Sequence, residues 1–80
     1  VSFQGMVYPN PTSGLVWVSL PEGVSMDGPV SIMDLLGREV LRQNVDSQNT
    51  IDLSRLKDGV YFLHLMSGGK KQTVRVILLK

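Results

Sequence analysis

The side chains that could carry acid–base or metal chemistry in this chain are seven carboxylates and one histidine. Each carboxylate lies in or beside an expected turn, where it can accept hydrogen bonds from backbone amides. None has the D-x-D-x-D spacing of a calcium loop, and no G-x-S-x-G or similar nucleophile context occurs. His64 falls in an expected strand, where a lone histidine is usually structural. The sequence therefore predicts a domain that is not an enzyme and uses no metal or other cofactor.

Two further kinds of site are disfavoured. The turn Gly68-Gly69-Lys70 has the composition of a phosphate loop, but a strand follows it, so the helix N-terminus that binds phosphate is missing. The basic residues after Met66 have no aromatic residues among them, which argues against a nucleic-acid partner. The chain contains no cysteine, which excludes disulfides and thiolate sites.

Positive charge is concentrated in the last quarter of the chain. Residues 1–58 carry both acidic and basic side chains, with the acidic ones in excess, whereas residues 59–80 carry four basic ones and no acidic one. These four are Lys70, Lys71, Arg75 and Lys80. They are explained either as lysines that protect an edge strand from aggregation or as a docking surface for an acidic partner or anionic headgroups.

Short apolar segments separated by turn residues predict the elements that position these groups. No segment shows helical periodicity beyond one turn. One helical or 3₁₀ turn is expected at residues 54–58. A polar loop is expected at 46–49 and a hairpin turn at 67–70. The expected strands cover residues 4–8, 15–20, 30–35, 39–45, 50–53, 60–66 and 71–79. This pattern predicts an all-β fold, an immunoglobulin-like β-sandwich of about seven short antiparallel strands in a single domain, residues 1–80. Because the first residues show neither an initiator Met nor a signal peptide, we interpret the chain as a fragment of a longer protein.

Three turns give more specific expectations. Tyr61 follows Gly59 by two residues, as in a tyrosine corner, whose ring enters the core while its hydroxyl bonds an upstream backbone group. Asp34 and Gly37 suit a hairpin loop, with Asp34 accepting bonds from turn amides and Gly37 in the left-handed conformation. The segment from Pro9 to Gly14 is expected to be a rigid turn without regular structure.

Trp17 is expected outside the core. In the strand at 15–20, Val16, Val18 and Leu20 share one uninterrupted apolar face, and Trp17 lies on the other face. We take the uninterrupted face as the core side, which leaves Trp17 at a rim or an interface.

Four segments, in this order and spacing, resemble one known family. They are Tyr8-Pro9-Asn10-Pro11-Thr12-Ser13-Gly14, residues 32–40 around Gly37, residues 51–63 with Gly59 and Tyr61, and residues 70–77. Together they are similar to the C-terminal sorting domain of cargo of the type IX (Por) secretion system. The residues that carry the resemblance are Pro9, Asn10, Pro11, Gly14, Gly37, Gly59 and Tyr61.

The resemblance implies a sorting signal and not a catalyst. The domain would be the tail of a larger protein in certain Gram-negative bacteria, with its cargo domain on the N-terminal side. It would be handled in the periplasm by shuttle proteins and an outer-membrane translocon. A surface sortase would then remove it, which releases the cargo or joins it to a lipopolysaccharide anchor. The cargo would end at the cell surface or in the extracellular space.

The resemblance also places the recognised residues on the last strand. In this sequence they are Lys70, Lys71, Arg75, Val76, Ile77, Leu78, Leu79 and Lys80. Arg75 stands where the family often has lysine, and we expect this cation to be tolerated. Residues 76–79 are apolar on both faces, so one face can meet the core. The other can meet a partner through side-chain burial or strand addition. If no partner covers this second face, the domain itself covers it, or a second copy of the domain covers it in a strand-exchanged homodimer.

Other classes of function stay open. The domain could be a fibronectin-like spacer or a carbohydrate-binding module of a secreted hydrolase or adhesin, with Trp17 and Tyr8 forming a sugar-stacking surface. It could also be a structural repeat of an adhesin.

Overall fold

Seven antiparallel strands make up the computed structural model, which describes residues 5–45 and 48–80. They are β1 (Met6–Tyr8), β2 (Leu15–Ser19), β3 (Val30–Met33), β4 (Glu39–Gln43), β5 (Thr50–Asp52), β6 (Gly59–Ser67) and β7 (Lys70–Leu78). No helix occurs among the described residues, and hence none long and apolar enough to cross a membrane.

The strands form two sheets. One has three strands in the order β1-β2-β5, and the other has four in the order β4-β3-β6-β7. β6 is the longest interior strand, and it pairs with β7 along the whole of both strands, from Gly59 opposite Leu78 to Ser67 opposite Lys70. The expectation of an all-β fold of seven strands in a small sandwich is confirmed. The last strand lies at an edge of the larger sheet.

The core lies between the two sheets, and strand alternation decides which side chains enter it. Val16 and Val18 face inward from β2, as expected, while Trp17 between them lies outside. The fully buried side chains come from both sheets and from the segment after β5: Val16, Val30, Ile32, Ile51, Leu53, Leu63, Leu65, Val76 and Leu78. Leu20, expected with them, is only partly buried and packs against this cluster.

Tyr61 forms the expected tyrosine corner. Its ring is 8% exposed, and its hydroxyl donates a hydrogen bond to the carbonyl oxygen of Lys57 at 2.6 Å. The one helical or 3₁₀ turn expected at residues 54–58 is a single turn with the 3₁₀ hydrogen-bond pattern, in which the Leu56 amide donates to the Leu53 carbonyl at 3.0 Å. No helix follows it, and the chain then enters β6.

The hairpin between β3 and β4 follows its sequence signals. The Asp34 carboxylate accepts bonds from the amides of Leu36 and Arg38, and Gly37 has φ of 81°. The hydrogen bond from the Arg38 amide is the main reason that the pKa of Asp34 lies below its usual value. Because Asp34 already belongs to this loop, β3 ends at Met33 and not at residue 35, and Leu35 is left exposed.

Most other expected strand limits differ by one or two residues. Gln43 ends β4 two residues early, since its side chain turns to accept a hydrogen bond from the Asp52 amide at 2.8 Å. The expected strand residue Gln4 and the loop residues Asp46 and Ser47 lie outside the described residues.

Candidate functional site

The last strand, β7, divides the residues expected to be recognised between two faces. Val76 and Leu78 point inward and are fully buried. Arg75 and Ile77 alternate with them and therefore point to the outer face of the four-stranded sheet, with Ile77 half-buried. Lys71 lies on the same outer face and is exposed. A partner that leaves the core intact can therefore contact Lys71, Arg75 and Ile77, but not Val76 or Leu78.

The outer face of β7 sets cations beside the outer side chains of β6, which are apolar except for His64: Val60, Phe62, His64 and Met66. Lys71 lies opposite Met66, and Arg75 lies opposite Phe62, so each cation has an apolar neighbour directly across the strand pair. Met66 and Phe62 are only partly buried, although they lie in the middle of the sheet. This face combines positive charge with accessible apolar surface, which suits an acidic partner with an apolar centre.

The remaining residues that were expected to be recognised lie at the two ends of β7. Lys70 starts the strand opposite Ser67 and is exposed. Leu79 follows the strand with 56% of its surface exposed. Lys80 is held at the protein surface: its ammonium donates to the carbonyl of Ser54 at 3.1 Å, and its amide donates to the carboxylate of Asp58 at 3.1 Å.

The edge of β7 is covered by Asn10, Pro11 and Thr12, which we call the clasp. The Asn10 side chain donates to the Arg75 carbonyl at 2.8 Å and accepts from the Ile77 amide at 3.0 Å. The Thr12 amide donates to the Ile77 carbonyl at 2.8 Å, and its carbonyl accepts from the Leu79 amide at 2.8 Å. These four bonds occupy outward backbone groups of β7 from residue 75 to residue 79.

The clasp is held in place by contacts with residues outside β7. Thr12 is the one buried polar residue among the described residues, and its hydroxyl donates to the Leu15 carbonyl at 2.6 Å and accepts from the Gly14 amide at 3.1 Å. Gly14 passes close to Ser54, since a Cβ built on Gly14 would lie 3.3 Å from the Cβ of Ser54. A larger residue at this position would crowd Ser54, so glycine favours the close approach of this loop to the end of β5.

Strand addition to β7 is restricted by the clasp. A new strand needs free outward amides and carbonyls, and those between residues 75 and 79 are engaged by Asn10 and Thr12. Gln72 is engaged as well, because its side-chain amide exchanges two hydrogen bonds with the backbone of Gly5. A partner at the apolar end of β7 therefore has to use the outer face or displace the clasp.

We predict that Asn10→Ala opens this edge. The substitution removes two hydrogen bonds to β7, which lowers the free energy of unfolding by about 1–3 kcal/mol. It also exposes unpaired backbone groups, which raises the fraction of strand-exchanged dimer. Urea denaturation measures the first effect and sedimentation velocity the second. Ser13→Ala, in the same loop, is the matched control. A stability equal to that of this control would show that the Asn10 bonds do not hold the edge.

Two observations bear on the class of protein. Within residues 5–45 and 48–80, no group of histidine and carboxylate side chains is arranged to hold a metal ion. The family model of the secretion system C-terminal sorting domain matches residues 6–79, nearly the entire chain. The chain belongs to this family. Comparison with curated proteins returned no match.

Membership gives the sorting domain its general role. It is a C-terminal sorting signal of the type IX secretion system, and this is not an enzyme family. A signal of this kind interacts with the secretion system and accompanies a cargo on its N-terminal side. The protein that carries it is secreted to the cell surface or the extracellular space.

Most of the residues that carry the family resemblance lie close together in the folded sorting domain. Pro9, Asn10, Pro11 and Gly14 lie in or next to the clasp, while Gly59 and Tyr61 pair with the clasped part of β7. Gly37 is separate, in the hairpin that leads to the opposite edge strand, β4. Sequence reasoning described the Pro9–Gly14 segment as a rigid turn but missed its contact with β7. No local pattern reveals a contact between residues 65 to 67 positions apart.

Proposed function

We propose that the type IX machinery reads this sorting signal on the outer face of β7, through Lys71, Arg75 and Ile77. The supporting observation is the state of β7 itself, whose inward side chains are buried and whose edge is clasped between residues 75 and 79. The outer face is then the part of the strand that a partner reaches without unfolding the domain. Lys70, at the start of the strand, is exposed but belongs by alternation to the other face of β7, so it is left out of this surface.

The partner proposed is an acidic surface of a translocon or shuttle component. Two cations spaced along one strand attract such a surface over roughly a Debye length, about 8 Å at physiological salt. Ile77, beside Val60 on the same face, supplies apolar contact once the charges have oriented the partners. In this proposal the signal acts in the periplasm, follows its cargo across the outer membrane and is then removed by a surface sortase.

A reporter fusion tests the sorting role and its surface together. A fluorescent protein with an N-terminal export signal and this domain at its C-terminus is expected at the surface of type IX-competent cells, or in their medium. Combining Lys71→Ala with Arg75→Ala should lower delivery at least tenfold, a change equivalent to about 1.4 kcal/mol. The matched control combines Arg55→Ala with Lys57→Ala, which removes the same charge from the loop before β6 and leaves the outer face of β7 unchanged. Urea unfolding of both variants establishes that each is folded.

The outcomes separate three parts of the proposal. Periplasmic retention of the unaltered fusion, with its domain folded, would contradict the sorting role for this chain. Normal delivery of the Lys71/Arg75 variant would leave sorting intact and place recognition elsewhere. A C-terminal epitope that persists on the delivered reporter would contradict removal by a sortase.

A further inference from the structure

The outer face of the three-stranded sheet carries a second unusual surface. Four large apolar side chains of β1 and β2 are exposed there: Met6 by 68%, Tyr8 by 50%, Leu15 by 47% and Trp17 by 38%. They lie on the side opposite the core, on neighbouring strands in which Tyr8 is paired directly with Trp17. A contiguous apolar face on the outside of a small domain commonly marks a binding site.

Trp17 forms one wall of a groove beside this face. The groove has a volume of about 530 Å³, within the range of about 300–1,000 Å³ usual for small-ligand sites. It is lined by Pro9, Thr12, Ser13, Gly14, Leu15, Trp17, Asp52 and Ser54. One aromatic side chain, a proline and a leucine thus lie next to hydroxyls and a carboxylate, the mixture of apolar walls and few polar groups typical of such sites.

Tyr8 supports the indole of Trp17. The two ring centroids are 6.5 Å apart and the ring planes differ by 19°, which is a stacked arrangement. Tyr8 does not line the groove, so it stacks with Trp17 from outside it. Trp17 therefore presents an accessible aromatic surface that its neighbour has already oriented, which lowers the ordering cost of binding a ligand.

The polar side of the groove is an ionised carboxylate with hydroxyl neighbours. The hydroxyl of Ser54 and then its amide, which lies 2.9 Å from Asp52 Oδ1, lower the pKa of Asp52. Asp52 is therefore a carboxylate at neutral pH, able to accept hydrogen bonds from ligand hydroxyls. Ser13 adds a hydroxyl that can donate or accept.

We propose that this groove binds a neutral oligosaccharide. The apolar C–H face of a sugar ring can stack on Trp17 while the sugar hydroxyls donate to Asp52, which uses both sides of the groove. Of the residues that the structure describes, Asp52 is the one charged residue that lines the groove, which disfavours phosphates and acidic sugars. Two cations lie near the groove without lining it: Lys80, which donates to the Ser54 carbonyl, and Arg55, whose charge acts on Asp52. This site is separate from the surface proposed for sorting and would add a second binding activity to the domain.

Intrinsic fluorescence tests the proposal directly, since Trp17 is the only tryptophan in the chain. The domain is titrated with cellohexaose and maltohexaose, neutral glucose oligomers of different chain shape, and with hexagalacturonate as an anionic counterpart. At least one neutral oligomer should shift the emission to shorter wavelength, with a dissociation constant on the order of 1 mM for one open groove. The anionic oligomer should bind more weakly.

Substitutions test whether the change in fluorescence comes from a ligand in the groove. Tyr8→Ala and Asp52→Asn should each weaken binding severalfold, whereas Leu36→Ala, an exposed apolar residue of the β3–β4 hairpin, should leave it unchanged. Trp17→Ala should abolish ligand-induced NMR shifts of the groove amides while the core amides keep their positions. An unchanged emission with both neutral oligomers up to 10 times that dissociation constant would overturn the proposal. So would preferential binding of a polyproline decapeptide, which also docks in aromatic grooves, or affinities that the Tyr8 and Asp52 substitutions leave unchanged.

Discussion

Tyr61→Ala is expected to lower the free energy of unfolding by about 3–5 kcal/mol, the range of buried aromatic-to-alanine substitutions. The ring is almost entirely buried, and its hydroxyl holds the Lys57 carbonyl. A domain of this length has roughly 0.05–0.15 kcal/mol of stability per residue, so this single loss approaches the total. Urea denaturation followed by circular dichroism measures it.

Tyr61→Phe separates the two functions of this residue. It keeps the packing of the ring and removes only the hydrogen bond, so we expect a loss of about 0.5–1.5 kcal/mol. Both variants should impair delivery of the reporter in proportion to their loss of stability, because neither touches the outer face of β7. If Tyr61→Phe were as damaging as Tyr61→Ala, the corner bond and not the ring would dominate.

Ending the chain after Arg75 is expected to abolish the cooperative fold. This truncation removes Val76 and Leu78, which are both fully buried, and all of the backbone groups that bond to Thr12. Loss of a buried leucine side chain alone costs about 2–5 kcal/mol, and the clasp loses its partners at the same time. The expected observations are a loss of the sigmoidal urea transition and rapid proteolysis.

Ending the chain after Leu78 is the matched comparison. It removes Leu79 and Lys80, which are exposed, and keeps both core side chains. The lost contacts are hydrogen bonds at the surface, so this form should stay folded with a loss of about 1–3 kcal/mol. Secretion experiments that delete the last five residues therefore test folding and not recognition. A cooperative transition in the form ending at Arg75 would show that the core does not depend on the end of β7.

The alternation of apolar residues and the turn chemistry were sufficient to predict most of the fold. Val16 and Val18 were placed in the core, Trp17 outside it and Tyr61 in its corner, because each depends on strand alternation or on a local turn. The sequence left a helical and a 3₁₀ turn open after Leu53, and the structure has a single turn with the 3₁₀ bond from the Leu56 amide to the Leu53 carbonyl. It does not continue into a helix, because β6 begins at Gly59.

Less of the candidate site could be predicted from the sequence. Apolar residues on both faces of β7 predict one apolar side chain on the outer face of the strand, and Ile77 lies there, partly buried. The same pattern carries no information on the strand edge, since backbone groups are identical at every residue. The clasp depends on Asn10 meeting β7 across nearly the whole chain, a contact set by topology and not by local propensity.

The clasp also determines how late in its synthesis this domain can finish folding. Its bonds join residues 10–12 to residues 75–79, so none of them can form until residue 75 has been synthesised, and the full set requires residue 79. Closing so long a loop is slow compared with forming local hairpins. A complete clasp therefore reports that the ribosome has translated the protein past this point. Cargo from a message that stops short of this strand would carry an unfinished tail, open to proteases before export begins.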